Sequence, residues 1–202
     1  MSLFDIKEFR GGIQKGTVAA DIHAKRLDKD CKKVAGQVNN DLTKIYGCDI
    51  VFKKKFKKNQ IPGKIGACAP DGGLWFYKNK LIACFEGKKQ GDRGNAIERW
   101  FKNNFVCRII NTDMSYVTFC TGEGSKIKYN ELTEKMEYGI IVKTLNIDHL
   151  DQSGNGIFNQ YVPGKNSAFL SPEGFTEKFI YDIMMEVIQE RIENINSNET
   201  VI

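Results

Sequence analysis

The side chains best spaced to do chemistry lie in two short runs. Pro70-Asp71-Gly72-Gly73 reads as a turn carrying one carboxylate, and fifteen residues after Asp71, in Phe85-Glu86-Gly87-Lys88, comes a second. The β-prone residues of Leu81-Ile-Ala-Cys-Phe-Glu-Gly-Lys predict a strand, in which side chains two apart share a face, so Glu86 and Lys88 point the same way. If Asp71 opens the partner arm of a hairpin, two carboxylates and an ammonium converge at one strand end. Hard carboxylate oxygens suit Mg²⁺, and a nearby cation can orient water and offset charge developing on a phosphate. The chemistry so assembled is metal-assisted hydrolysis of a phosphodiester. Taken residue by residue a plainer account competes, in which Asp71 is a turn former and Glu86 and Lys88 are a solvated pair.

The residues immediately downstream favour the chemical account. Behind Lys88-Lys89-Gln90-Gly91-Asp92-Arg93 stands Gly94-Asn95-Ala96-Ile97-Glu98-Arg99. With the Pro-Asp-Gly-Gly turn and the Glu-x-Lys strand ahead of it in the same order, this stretch resembles the EcoRI-type restriction endonucleases of the PD-(D/E)xK superfamily. The likeness is strong over 66–124. It is fainter in Tyr116-Val-Thr-Phe-Cys-Thr-Gly-Glu-Gly and in Lys178-Phe-Ile-Tyr-Asp-Ile-Met-Met-Glu.

The resemblance implies a restriction-endonuclease-like core and a type II enzyme that hydrolyses both strands of a short palindrome. Asp71 and Glu86 would be metal-ligating carboxylates, with the main-chain carbonyl of Gly87 as a further ligand to Mg²⁺, and Lys88 the catalytic lysine. Water would attack the scissile phosphorus in line, leaving a 5′-phosphate, a 3′-hydroxyl and 5′ overhangs. In this family the Gly-Asn-Ala…Arg segment enters the major groove and reads an AATT core. An amide can pair bidentately with adenine and a guanidinium offers fixed donors, which suits Asn95 and Arg99. Gly94 and Ala96 would allow close approach to the bases, Glu98 would hold arginines in register, and Arg93 adjoins the string. The partners implied are double-stranded DNA, a second copy in a C2 homodimer, and a cognate DNA methyltransferase in the same system. One departure is notable: the family's namesake has a long DNA-embracing insertion where only Lys89 to Arg93 separate Lys88 from Gly94 here. That favours a minimal enzyme reading little beyond the central bases. Two rivals stand beside this reading: a structure-specific or repair nuclease on the same core, and a noncatalytic nucleic-acid-binding module.

The elements that must position these residues follow from apolar periodicity. From Thr17 to Tyr46 apolar residues recur at helical steps (Val18, Ile22, Leu27, Cys31, Val34, Val38, Leu42, Ile45), and Gly47 is a natural stop. Cys48-Asp-Ile-Val-Phe-Lys-Lys-Lys-Phe predicts a strand loaded with lysines at its end. Leu74–Tyr77 and Leu81–Phe85, joined through Lys78-Asn79-Lys80, predict a tight hairpin. A helix from about Asn95 to Asn104 and strands at Tyr116–Cys120 and Gly139–Leu145 come next, then a loop through Gly154, Gly156, Pro163 and Gly164. The last helix carries the stripe Phe175, Phe179, Ile180, Ile183, Met184, Val187 and Ile188, with Ser171-Pro172 as its cap. Interleaved strands and helices predict an α/β fold, a mixed β-sheet flanked by helices, in one domain over 1–202.

Composition bounds the rest. A chain of 202 residues, 41% apolar and 27% charged, is neither disordered nor fibrous. Its net charge of +5 conceals a polarity, since residues 1–108 carry a net +12 and residues 109–202 a net −7. The run Lys53, Lys54, Lys55, Lys57 and Lys58, with Lys25, Arg26, Lys29, Lys32 and Lys33 before it and Lys89 beyond, fits phosphate contacts or, equally, a solvated face. Six cysteines without a CxxC pair predict reduced, buried thiols. The acid-bearing N-terminus predicts no signal peptide, and no apolar run reaches the ~18 residues of a membrane span, so a cytoplasmic protein without membrane contact is expected. His23 and His149 stand alone and are given no chemistry, and Trp75 and Trp100 read as core.

Overall fold

The computed structural model describes residues 26–61, 66–89, 95–121, 127–130, 135–138, 161–171 and 174–199. The apolar stripe expected from Thr17 forms helix α1 over 26–46, its earlier part lying outside the described residues. A 3-10 turn at Gly47–Asp49 leads to β1 (Ile50–Lys53), and a second, Lys58–Gln60, precedes β2 (Leu74–Tyr77) and β3 (Lys80–Lys89). Then come α2 (Asn95–Ile110), β4 (Ser115–Thr121), the small hairpin β5 (Ile127–Asn130) and β6 (Lys135–Tyr138), β7 (Asn166–Ser171) and α3 (Glu177–Glu199).

Five strands form a mixed sheet in the order β1-β2-β3-β4-β7, antiparallel from β1 to β3 and parallel from β3 to β7. Helices cover both faces. On one face α1 (Leu27, Cys31, Val34, Ala35, Val38, Leu42) and α3 (Ile180, Met184, Val187, Ile188, Ile192) pack over Trp75, Phe85, Val117, Phe119 and Phe169. On the other, Trp100, Val106 and Cys107 of α2 pack over Leu74, Phe76, Cys84 and Tyr116. Each fully buried Val, Leu or Ile contributes about 1.5–3 kcal/mol, so both faces must be covered for the sheet to persist. Both tryptophans are core residues, and all six cysteines are free thiols, only Cys48 being exposed.

The β2–β3 hairpin turns on Lys78 (φ 47°) and Asn79 (φ 66°), the doubly left-handed conformation whose twist matches two antiparallel strands. A bulge between Trp75 and Phe76 makes Ile82 an extra residue on β3. Ile82, Ala83 and Phe85 all reach the α1/α3 core while Leu81 and Cys84 reach the α2 core, so the bulge resets which face the end of β3 presents.

Four local expectations are corrected. The lysine-loaded strand ends at Lys53, and Phe56 makes only an isolated bridge to Cys68. The second helix continues past Asn104 to Ile110, where Arg108 Nη1 donates to the carbonyls of Thr112, Met114 and Gly164. Asn166–Ser171 is a strand, though its polar residues read as loop: Asn166 Oδ1 accepts from Asn104 and Arg108, and Ser167 Oγ accepts the Val162 amide. Thr176, not Ser171, caps α3, its Oγ1 accepting the Phe179 amide at 3.1 Å while Ser171 closes a turn on Gly174. The expected strand Gly139–Leu145 lies outside the described residues. Among the described residues no helix is long and apolar enough to cross a membrane.

The two glycines after Asp71 are dictated by packing. A Cβ on Gly72 would lie 2.6 Å from Phe85 Cβ and 2.7 Å from Met184 Cε, and one on Gly73, at φ +76°, would lie 2.1 Å from Phe52 Cε2. Gly73→Ala is expected to cost roughly 2–4 kcal/mol from overlap plus a strained backbone, read as a lower urea midpoint at unchanged m.

Candidate active site

Glu86 and Lys88 share a face of β3, and Lys88 Nζ lies 2.7 Å from Glu86 Oε1 with both side chains more than nine-tenths buried. The other carboxylate oxygen, Oε2, accepts from Tyr116 Oη at 3.1 Å and Asn103 Nδ2 at 3.3 Å. Burial pushes the Glu86 carboxyl above the usual range, against the pull of Lys88 and with the charge of Asp71 adding to the rise. The adjacent core is built to the same end. Trp100 of α2 stacks edge-on against Tyr116 and donates Nε1–H to Thr118 Oγ1, closing the layer beside the ion pair. These are not solvated charges.

Asp71 approaches from the preceding turn, whose backbone is tied to β3 by Gly72 N–H to Phe85 O and Phe85 N–H to Gly73 O. Its Oδ2 accepts the Gly87 amide at 3.3 Å, so the carboxylate meets the strand at the residue between Glu86 and Lys88 and acts on Glu86 through charge. Space at Gly87 is tight: a Cβ would lie 3.1 Å from Leu27 Cγ and 3.6 Å from Asp71 Oδ2. From α1, Lys32 Nζ comes within 3.6 Å of Asp71 Oδ1, an open pair with Lys32 62% exposed. One turn earlier on the same helix face, Asp28 is hydrogen-bonded to Asp71. Burial, reinforced by the charge of Asp71 and that hydrogen bond, pushes Asp28 up to about 7, although Lys32 and Lys88 pull the other way.

Strand directions bring the remaining sequence candidates to the same end of the sheet. Lys53 pairs with Leu74 and Leu74 with Cys84, so the carboxyl ends of β1 and β3 coincide, joined by those of β4 and β7. Lys53, Lys54 and Lys55 are exposed there, the Lys53 ammonium lying 4.6 Å from the centre of the Phe76 ring. Asn95, Ala96 and Glu98 form the first turn of α2 and Arg99 is exposed on it. Lys89 is the last residue of β3; Arg93 and Gly94 lie outside the described residues.

Asp28, Asn103 and Tyr116 escaped the reading of the sequence. Asn103 had left a signal, because it holds a polar group at helical spacing between Trp100 and Cys107 on the buried face of α2. Asp28 had not, since its partner is 43 residues away along the chain.

The donor set suits Mg²⁺: the carboxylates of Asp71 and Glu86 and the Gly87 carbonyl are hard oxygens, and Asp28 adds a third carboxyl beside Asp71. As the side chains stand, Glu86 is engaged by Lys88, and among the described residues no three acidic, Cys or His side chains are close enough together to hold a metal ion. The arrangement balances its charges with the two lysines.

Lys88→Met, which strands Glu86, is expected to cost about 3–5 kcal/mol, and adding Glu86→Gln to recover most of it. Urea unfolding of both single variants and the double variant measures that coupling. For Asp28 the sign is opposite to that of an ordinary paired carboxylate. Its folded value lies above the unfolded 3.8, so the folded state holds the proton more tightly and stability falls as pH rises from about 4 to about 7. Asp28→Asn should flatten that slope in chelator-treated protein, and an unaltered slope would show that Asp28 does not carry the proton. Compared with known proteins, the chain matches no family model, no curated protein and no solved structure.

Proposed function

We propose that the chain is a Mg²⁺-dependent type II restriction endonuclease, a homodimer that cleaves both strands of a short palindrome with an AATT core. The observation that carries this reading is the buried Glu86–Lys88 pair at the carboxyl end of β3, with Asp71 anchored on the intervening Gly87 amide. A turn-forming Asp and a solvated Glu–Lys pair would need none of that burial, nor the Tyr116 and Asn103 donors that hold Glu86. A sheet that is antiparallel up to β3 and parallel beyond it suits a PD-(D/E)xK core. The gathering of Lys53, Lys54, Lys55, Lys32 and the first turn of α2 at the same end suits a phosphate-lined DNA face.

Asp71, Glu86 and the Gly87 carbonyl would hold Mg²⁺, which supplies Lewis acidity toward the phosphate when bound. The chain's own groups account for the remaining work. Lys88, tethered through Glu86, presents its ammonium to the scissile phosphate and offsets negative charge as it develops. Tyr116 and Asn103 fix the orientation of the Glu86 carboxyl. Asp71, anchored by the Gly87 amide and flanked by Asp28, has its carboxylate oriented at the strand end. Asn95 and Arg99, at the start of α2, read base edges.

Digestion of plasmid with purified protein and Mg²⁺, followed by sequencing of the ends, tests the proposal. Discrete fragments sharing one palindromic end sequence are expected. Random or branch-dependent nicks would instead assign the chain to structure-specific or repair cleavage, and no cleavage in Mg²⁺ or Mn²⁺ at any salt would leave only a binding module. Asp71→Asn should abolish cleavage while DNA binding in Ca²⁺ persists, and Asn95→Ala should erase the preference for cognate over altered sites, about 1–3 kcal/mol by gel-shift titration.

A further inference from the structure

At the end of the sheet opposite Asp71, Glu86 and Lys88, an open cavity of about 770 Å³ lies where α2 and α3 meet the turn at Asp113 and the Pro163-Gly164 turn before β7. That is within the roughly 300–1,000 Å³ of small-molecule sites. Topology sets its position, because β3, β4 and β7 are parallel and their first residues come together there.

Four cationic side chains from different parts of the chain border it: Lys80 at the start of β3, Arg108 on α2, Lys165 just before β7 and Arg191 on α3. The lining holds a single carboxylate, Asp113. This inverts the local background, since residues 109–202 carry a net −7 and α3 bears Glu177, Asp182, Glu186, Glu190, Glu193 and Glu199. A concavity collecting one sign of charge focuses its potential on ligands of the other.

The cations divide the labour. Arg108 frames the cavity, its guanidinium committed to the carbonyls of Thr112, Met114 and Gly164 and to Asn166 Oδ1. Arg191 Nη2 donates to the Asp113 carbonyl at 2.6 Å, but its Nε–H is buried without an acceptor among the described residues. Lys80 and Lys165 are exposed at the rim, and neither ammonium has a carboxylate partner among the described residues. The Phe101 ring, 40% exposed, adds a flat apolar wall.

We propose that this cavity binds a nucleotide phosphate ester, its phosphate on Arg191, Lys165 and Lys80 and its base against Phe101. A free mononucleotide and the backbone of a DNA strand present the same chemistry. The proposal is independent of the nuclease reading, because none of these residues belongs to the Asp71–Glu86–Lys88 site.

Proton–nitrogen correlation spectra of the full chain, titrated separately with inorganic phosphate, deoxyadenosine 5′-monophosphate and a duplex lacking AATT, test it. An ester should shift the Arg191 Nε–H signal and the Gly164 and Asn166 amides. The exposed pair Lys80→Gln with Lys165→Gln should weaken half-saturation about tenfold without touching the fold, and Arg191→Lys should weaken it while keeping the charge. The arm that shifts these signals, mononucleotide or duplex, identifies the source. The proposal is overturned if neither ester moves them, if inorganic phosphate alone does (an adventitious ion only), or if the double variant titrates like the parent. Asp71→Asn should leave the titration unchanged, so failure of the nuclease reading and failure of this one are distinguishable.

Discussion

A carboxylate and an ammonium held 2.7 Å apart and almost wholly out of water make the strongest demand on this fold. Taking either ion alone into the interior costs several kcal/mol, so the pair persists only where geometry is good and the remaining lone pairs are satisfied. Tyr116 on β4 and Asn103 on α2 supply those donors, and Trp100 seals the layer between them. Strand β4 must therefore lie beside β3 in parallel register, and α2 must cross the sheet with Asn103 facing inward. The hairpin bulge serves the same requirement, because it sets the phase in which Glu86 and Lys88 face α2 while Gly87 faces α1 and Asp71.

Around that pair the chain gathers charge at one end of the sheet. Helix α1 contributes Asp28 and Lys32 next to Asp71, β1 ends in exposed lysines, and α2 begins there. The acidic C-terminal half takes part at both ends of the sheet. Glu177 at the start of α3 grips Lys33 of α1 at 2.7 Å, at the rim of the same end, and the far end of α3 helps to build a cationic cavity. The charge split along the sequence is thus only partly a split in space.

Legibility in the sequence tracked the range of the interactions. The tight hairpin, the same-face placement of Glu86 and Lys88, the buried tryptophans and the long stripes of α1 and α3 rest on contacts between near neighbours or on strict periodicity, and each can be read locally. Strand β7 could not, because Asn166 and Ser167 look like loop residues until distant donors and acceptors satisfy them. The cap of α3 moved from Ser171 to Thr176 for a related reason: Ser171 still belongs to β7, which only pairing with β4 extends that far.

Residue type and spacing were enough to single out Asp71, Glu86 and Lys88, since alternation along one strand and a glycine turn are properties of short segments. They were also enough to indicate an α/β chain with both faces of its sheet covered. Tertiary structure decided that the Glu–Lys pair is buried rather than solvated, that Asp71 settles on the Gly87 amide, and that Asp28, 43 residues earlier, becomes its hydrogen-bond partner. The physical reason is that burial, and the desolvation and pairing that follow from it, depend on which distant helix lies over a strand. One-dimensional spacing carries no record of that.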